Sequence, residues 1–311
     1  MAGASLPVEA PRPSLARSLV VTLRPQQWTK NLVLFAAVLF GRQLFEPAAV
    51  GAAVAAFAIF CALSGTVYLV NDVVDREADR RHPVKARRPV ASGALPIPTA
   101  LAAAAVLGAG ALAAASAINR AFFAAALGYL ALLGLYSGPF KRMVIVDVLV
   151  IAIGFVLRAV AGAFAVEVAI SHWLLVCTIL LALFLALAKR RHEIVLLAEG
   201  AGSHRPILDE YSPYLLDQMI AIVGAATIMG YALYTVSPET IEKFGTDRLL
   251  FTLPFPLYGL FRYLYLVHQK QAGGSPSEVL LTDRPLLACV VLWAMVVALI
   301  IYGLPGAAVR S

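Results

Sequence analysis

Charge is what this chain has least of. Only 14% of its 311 residues are Asp, Glu, Lys or Arg, while 61% are hydrophobic and the mean hydropathy is +0.83. A soluble domain of this length would carry about 25% charged residues. A buried core cannot explain so large a deficit, so the bilayer is the solvent and a soluble enzyme is excluded. Cysteine is also scarce. Cys61, Cys177 and Cys289 stand alone in apolar runs, without disulfide or metal spacing, and read as small packing residues. His82, His172, His192, His204 and His268 form no ligand spacing, which leaves no zinc set. The first 17 residues are Pro-rich and polar, with no apolar signal core or small-residue cleavage site. They read as a loose cytoplasmic head, with residues 18–311 as a single membrane domain.

What is present is a series of apolar runs. Crossing about 30 Å of hydrocarbon takes about 20 helical residues. Nine runs qualify: 30–46, 48–70, 96–118, 121–137, 143–166, 171–188, 216–236, 249–267 and 286–304. The first and fourth are short, so an eight-span reading stays open. The expected fold class is an all-α integral membrane protein, and the abundance of Ala and Gly, as in 101–117, favours a close-packed bundle.

The bases lie in the connections between runs. With the N-terminus inside and the runs alternating, 18 of the 25 Lys and Arg fall on the inner side, five on the outer, and Arg158 and Arg262 within spans. The inner bases are Arg12, Arg17, Arg24, Lys30, Arg76, Arg80, Arg81, Lys85, Arg87, Arg88, Lys141, Arg142, Lys189, Arg190, Arg191, Arg205, Lys270 and Arg284. The outer ones are Arg42, Arg120, Lys243, Arg248 and Arg310. The positive-inside rule then places the segments around 71–93, 137–142, 189–215 and 268–285 in the cytoplasm. The net charge of +7 belongs to these loops and not to a nucleic-acid-binding face.

At the inner end of the second run stands "NDVVDREADRRHPVKARRPVASG", Asn71 to Gly93. At 100° per helical residue, Asn71, Asp72, Asp75 and Asp79 fall within one quarter of the helix surface. Like charges so placed repel, and a cation must offset the cost. An all-oxygen set suits Mg2+, which takes one or two carboxylates, keeps waters and bridges to phosphates. The plainer alternative is a solvated helix end whose acids pair with neighbouring arginines. Pro83 stops the helix at His82, and Lys85, Arg87 and Arg88 follow in a turn-rich loop. These bases suit a polyphosphate, or simply anionic headgroups.

These residues resemble the UbiA superfamily of intramembrane prenyltransferases. Asn71-Asp72-x-x-Asp75-x-x-x-Asp79 matches its first Asp-rich motif, followed by His82-Pro83-x-Lys85-x-x-Arg88-Pro89-x-x-Ser92-Gly93. "YSGPFKRMVIVDVLVIAIGFVLRAVAGA", with Tyr136, Lys141, Asp147, Arg158 and Gly162, matches as well. The likeness covers about residues 20–304. It implies nine helices around a central cavity, with Mg2+ and diphosphate at a cytoplasmic mouth and a lateral opening to lipid.

One departure is informative. Members that use a prenyl diphosphate carry a second Asp-rich motif in the loop after the sixth span. Here the place reads "LAKRRHEIVLLAEG", with Lys189, Arg190 and Arg191 where acids are expected and only Glu193 remaining. With "RPQQWTKNLVLFA", "LYGLFRYLYLV" and "LLTDRPL", this resembles the superfamily branch that moves phosphoribose onto decaprenyl phosphate in actinobacterial arabinan synthesis, in the bacterial plasma membrane. The resemblance implies phosphoribosyl diphosphate as donor, a polyprenyl (decaprenyl) phosphate as acceptor and Mg2+ as cofactor. Asn71, Asp72, Asp75 and Asp79 would hold the metal, with Asp75, Asp79 and Lys141 catalytic. Lys30, Lys85, Arg88, Tyr136, Lys141, Lys189, Arg190 and Arg191 would bind substrate phosphates. Glu193 either aids the metal or pairs with Lys189, and Arg158 either bonds the helix interior or reaches substrate. Prenyl transfer to an aromatic or other small acceptor, and an ion-coupled transporter, remain as alternatives. Nothing in the sequence marks an oligomeric state.

Overall fold

The computed structural model describes residues 14–138, 140–198, 206–270 and 274–303, with the side chains of 196–198, 206 and 209 excepted. Most of the expected head, with Arg12, and also Arg205 and Arg310, lie outside the described residues. The end of the head, from Leu15, already belongs to helix α1 (Leu15–Leu23), capped by the Ser14 hydroxyl.

Among the described residues, eight helical segments are long and apolar enough to cross a membrane. They are α3 (Pro47–Val74), α6 (Ile97–Ile118), α7 (Arg120–Ser137), α8 (Val146–Ala165), α9 (His172–Ala198), α10 (Pro213–Val236), a segment that combines a 3-10 turn at Arg248–Thr252 with α12 (Pro254–Gln269), and α14 (Arg284–Tyr302). Shorter helices sit between them: α2 (Ala36–Phe40), α4 (Arg76–Arg81), α5 (Pro89–Ser92), α11 (Pro238–Phe244) and α13 (Pro276–Thr282). Several starts carry Pro in the first turn, where its missing N–H costs nothing.

The run 30–46 does not form the single α-helix expected of it. It is replaced by a 3-10 helix, Pro25–Phe35, followed by α2. At about 1.5 Å per residue an α-helix over this stretch would reach about 24 Å. Eleven residues at the 3-10 rise of about 2.0 Å, plus five of α-helix, reach about 30 Å. The stretch therefore traverses the bundle. Arg24 and Gln27 bond to Asp72 and Ser275 at one end, while Arg42 and Leu44 bond to the Lys243 carbonyl and the Tyr302 hydroxyl at the other. Gly162 on α8 admits this backbone: a Cβ there would lie 2.4 Å from the Leu34 carbonyl oxygen.

α8 packs against α7, α9, α3 and the 3-10 pass, and buries small residues, Ala152, Gly154, Ala159, Ala161 and Gly162, along its length. α6 buries Ala100, Ala104, Gly108, Ala111 and Ala115 toward α3, a small-residue stripe that lets backbones approach. The largest apolar clusters gather around Phe60, Phe122 and Tyr129 and around Phe184, Leu216 and Tyr263. Val106, Ile222, Met229 and Leu299 are largely exposed, as lipid-facing residues of a membrane bundle are.

Candidate active site

The ends of α3, α9 and α12 and the starts of the 3-10 pass, α8 and α10 meet at one end of the bundle, where most of the bases gather. α3 runs to Val74. Asp75 forms a turn but keeps helical spacing, since its N–H bonds the Asn71 carbonyl and its own carbonyl takes the Asp79 N–H, both at 2.8 Å. α4 ends at Arg81, and His82 is extended as Pro83 requires.

The four predicted oxygen donors are therefore together on the chain but divided by their partners. Asp72 and Asp79 are buried and share Arg88, at 3.3 and 2.6 Å. Asp72 also holds Arg24, whose guanidinium lies over the Tyr68 ring. Asp75 turns the other way, to Lys141 at 2.7 Å, and Asn71 accepts from Ser137. Asp75, Lys141, Ser137 and Gly138, with Val74, Ala78 and Arg142, line a cleft of about 580 Å³, within the usual range of small-molecule sites. Asp75 is about one-third exposed there.

Among the described residues no three His, Cys, Asp or Glu side chains form a ready metal cage. Mg2+ does not need one, because it binds through one or two carboxylates and completes its shell with water and phosphate. The donors fit on that basis. Asn71 and Asp75 stand beside the cleft, and Asp79 is buried and held by Arg88. Asp72, most buried and bound by two arginines, is the least available of the four.

The loop 82–93 is locally organised. The His82 Nδ1 accepts the N–H groups of Val84 and Lys85 at 3.2 and 3.3 Å. Burial holds its imidazole below the ordinary value, as befits a ring that must stay an acceptor. Arg80 bonds the Ala91 carbonyl at 2.9 Å, and Gly93 ends α5 at φ 83°. These contacts place Arg88 at the N-terminus of α5, facing the carboxylates.

The basic stretch corrects the sequence reading. Lys189, Arg190 and Arg191 lie on α9 and not in a loop, and successive residues on a helix point about 100° apart. Arg190 is buried and spans Asp147 at 2.7 Å, Glu193, and Tyr136 at 3.1 Å. Arg191 turns to Asp217 on α10, which also meets His268 at 3.2 Å. Lys189 lies toward Lys30 of the 3-10 pass and 3.7 Å from Glu193. The three bases thus serve three directions, and Arg190 and Tyr136 form a buried tie and not an open phosphate grip. Asp147 also accepts from the Tyr211 hydroxyl at 2.9 Å, and that hydroxyl accepts the Ile145 N–H at 2.7 Å. Burial pushes the Tyr211 phenol up to about 12, so it remains a donor.

Arg158 is interior. It bonds Asn31 at 2.8 Å, Tyr129 at 2.6 Å and the Gly154 carbonyl at 3.0 Å, and stacks on Tyr129 and Phe155. All of these hydrogen-bond partners belong to the bundle interior. The sequence reading missed Arg24, Asn31, Ser137 and Tyr211. A polar residue at the mouth of an apolar run was the available signal for Arg24 and Asn31; nothing local marks Ser137 or Tyr211.

The family model for the UbiA prenyltransferase family matches residues 31–277. The chain belongs to the UbiA prenyltransferase family. It is 33% identical over 301 residues, covering 95% of this chain and 90% of the relative, to decaprenyl-phosphate phosphoribosyltransferase of Corynebacterium glutamicum. It is 31% identical to the protein of that name from Mycolicibacterium smegmatis, over 95% of this chain and 96% of the relative. Among solved structures it superposes on a UbiA homologue from Archaeoglobus fulgidus bound to DMAPP and Mg2+, with a TM-score of 0.70 and 22% identity, covering 92% of this chain and all of that one. Within this family, the cleft beside Asp75 and Lys141 is the candidate site.

Proposed function

We propose that this UbiA-family protein is a Mg2+-dependent phosphoribosyltransferase. It moves the 5-phosphoribosyl group from phosphoribosyl diphosphate to a polyprenyl phosphate, decaprenyl phosphate in the relatives' names, and releases diphosphate. The reading places this at the cytoplasmic face of a bacterial plasma membrane, supplying cell-wall arabinan synthesis. The gathering of bases at the site end supports that orientation. The observation that carries the reading is the likeness, over most of both chains, to proteins named decaprenyl-phosphate phosphoribosyltransferase, joined by bases at 189–191 where a prenyl-diphosphate site would be acidic. The donor carries a diphosphate at C1 and a phosphate at C5, and the acceptor adds a third anion.

Asn71, Asp75 and Asp79 would hold Mg2+, which supplies charge stabilisation to the departing diphosphate. Lys141 and Arg88, now on Asp75 and Asp79, exchange these carboxylates for diphosphate oxygens as the donor enters. Lys30 and Lys189 face the remaining phosphates, with Lys85 at the loop. An oxygen of the lipid phosphate, already anionic at neutral pH, attacks C1. The C1–O bond to diphosphate breaks, its electron pair leaves with the diphosphate, and C1 inverts. No protein base is required. Rate enhancement rests on alignment and on stabilising the leaving group.

The assay is direct. The purified protein, given decaprenyl phosphate and phosphoribosyl diphosphate labelled in the ribose, is expected to form an acid-labile, lipid-extractable product only with Mg2+. Consumption of a prenyl diphosphate instead would favour the reading suggested by the ligand named for the A. fulgidus structure. Ion counterflow without chemical turnover would favour a transporter.

A further inference from the structure

We propose that Tyr211 is a positioning residue for the diphosphate subsite, holding the turn that presents Lys141. The inference rests on the reading above that Lys141 meets the leaving diphosphate.

Lys141 sits in a short 3-10 turn, Phe140–Arg142, and only four residues separate it from the first residue of α8. The joint is Ile145, with φ 67° and ψ −42°. A β-branched residue at positive φ is an outlier that persists only where surrounding contacts over-determine it. Ile145 cannot supply that constraint itself, because its side chain is 46% exposed. The constraint comes from its backbone. Its N–H donates to the Tyr211 hydroxyl at 2.7 Å, and its carbonyl accepts the Leu149 N–H at 3.0 Å in the first turn of α8.

The Tyr211 hydroxyl is fixed in turn. It donates to Asp147, which is fully buried and tied to the buried Arg190 of α9. Tyr211 is 4% exposed, and the 3-10 turn just before it, Pro206–Glu210, packs against the turn that bears Lys141. One phenol therefore joins α8, α9 and the segment leading into α10 to a single strained joint. Without the hydroxyl the joint is free to relax to negative φ. That rotates the Phe140–Arg142 turn and withdraws Lys141 from Asp75 and the cleft. The substrate is not touched by Tyr211, so the effect appears in donor binding and not in the lipid site.

The test uses the full chain in nanodiscs. Turnover of phosphoribosyl diphosphate with decaprenyl phosphate reports on the proposed function. The affinity for inorganic diphosphate with Mg2+, measured by calorimetry, reports on the subsite whether or not sugar transfer occurs. Tyr211→Phe is expected to weaken diphosphate binding by about tenfold and to lower kcat/KM for the donor by at least as much, with the KM for decaprenyl phosphate within about twofold. In a Lys141→Ala background the same change is expected to add no further loss of diphosphate affinity, since the residue through which it acts is gone. An equal loss in both backgrounds, unchanged affinity, or a fall in kcat alone would overturn the proposal. If Tyr211→Phe does not accumulate, adding Ile145→Gly, which accepts positive φ without strain, is expected to restore accumulation. Failure to restore it overturns the proposal as well.

Discussion

The close approach of the 3-10 pass to α8 offers a severe test of the fold. Gly162→Ala places a Cβ 2.4 Å from the Leu34 carbonyl oxygen, 2.8 Å from its Cα and 3.0 Å from its carbonyl carbon. All three are backbone atoms and cannot rotate away. A normal carbon–oxygen contact is about 3.3 Å, so the pass must shift by about 0.9 Å, with an overpacking cost of about 1–3 kcal/mol. Asn31 lies one 3-10 turn before Leu34, and Arg158 one turn before Gly162. A shift of that size stretches their 2.8 Å hydrogen bond beyond its useful range, and a bond to a charged group is worth about 1.5–3 kcal/mol. The expected loss is about 3–5 kcal/mol, read as unfolding in mixed micelles. Gly110→Ala on α6 and Gly128→Ala on α7 are the controls. Neither Cβ would meet an atom within 4 Å, so each is expected to be neutral or slightly stabilising. If Gly162→Ala proves as benign as these two, the 3-10 pass does not lie against α8 as described.

Asp75→Ala or Asp79→Ala is expected to abolish product formation while the protein still inserts and purifies; normal turnover in either would remove it from the metal set. Arg190→Met is expected to cost about 3–5 kcal/mol in the same unfolding assay, because it strands the buried Asp147 carboxylate. Arg191→Met, whose partner Asp217 is more exposed, is expected to cost about 1 kcal/mol or less. Arg262 holds the Asp283 carboxyl below its ordinary value through a hydrogen-bonded pair. The contribution is therefore complete above the usual carboxylate range and is lost as pH falls through the lowered value. The stability gap between the native protein and Asp283→Asn should accordingly be present at pH 7 and shrink at pH 3.

The helical class, the bilayer as solvent and the gathering of bases at one end followed from composition and run length. The pattern Asn71-x-x-x-Asp75-x-x-x-Asp79 with the stop at His82-Pro83 marked the end of α3, where Asp75 lines the cleft, because each feature depends on residues near one another in the chain. The divergence of Lys189, Arg190 and Arg191 was missed, because the stretch was read as a loop and not as part of α9. Once α9 is extended through them, adjacent residues cannot face one anion.

Tertiary structure alone decided the rest. That 25–40 crosses as a 3-10 pass depends on Gly162, far along the chain on another helix. Which base each acid holds depends on pairs such as Arg24 with Asp72 and Arg190 with Asp147, 48 and 43 residues apart. Periodicity fixes the face of a helix on which a side chain lies. It carries no information about which neighbour that face will meet, and in this bundle the neighbour determines whether a charge is a strut or is free to take a phosphate.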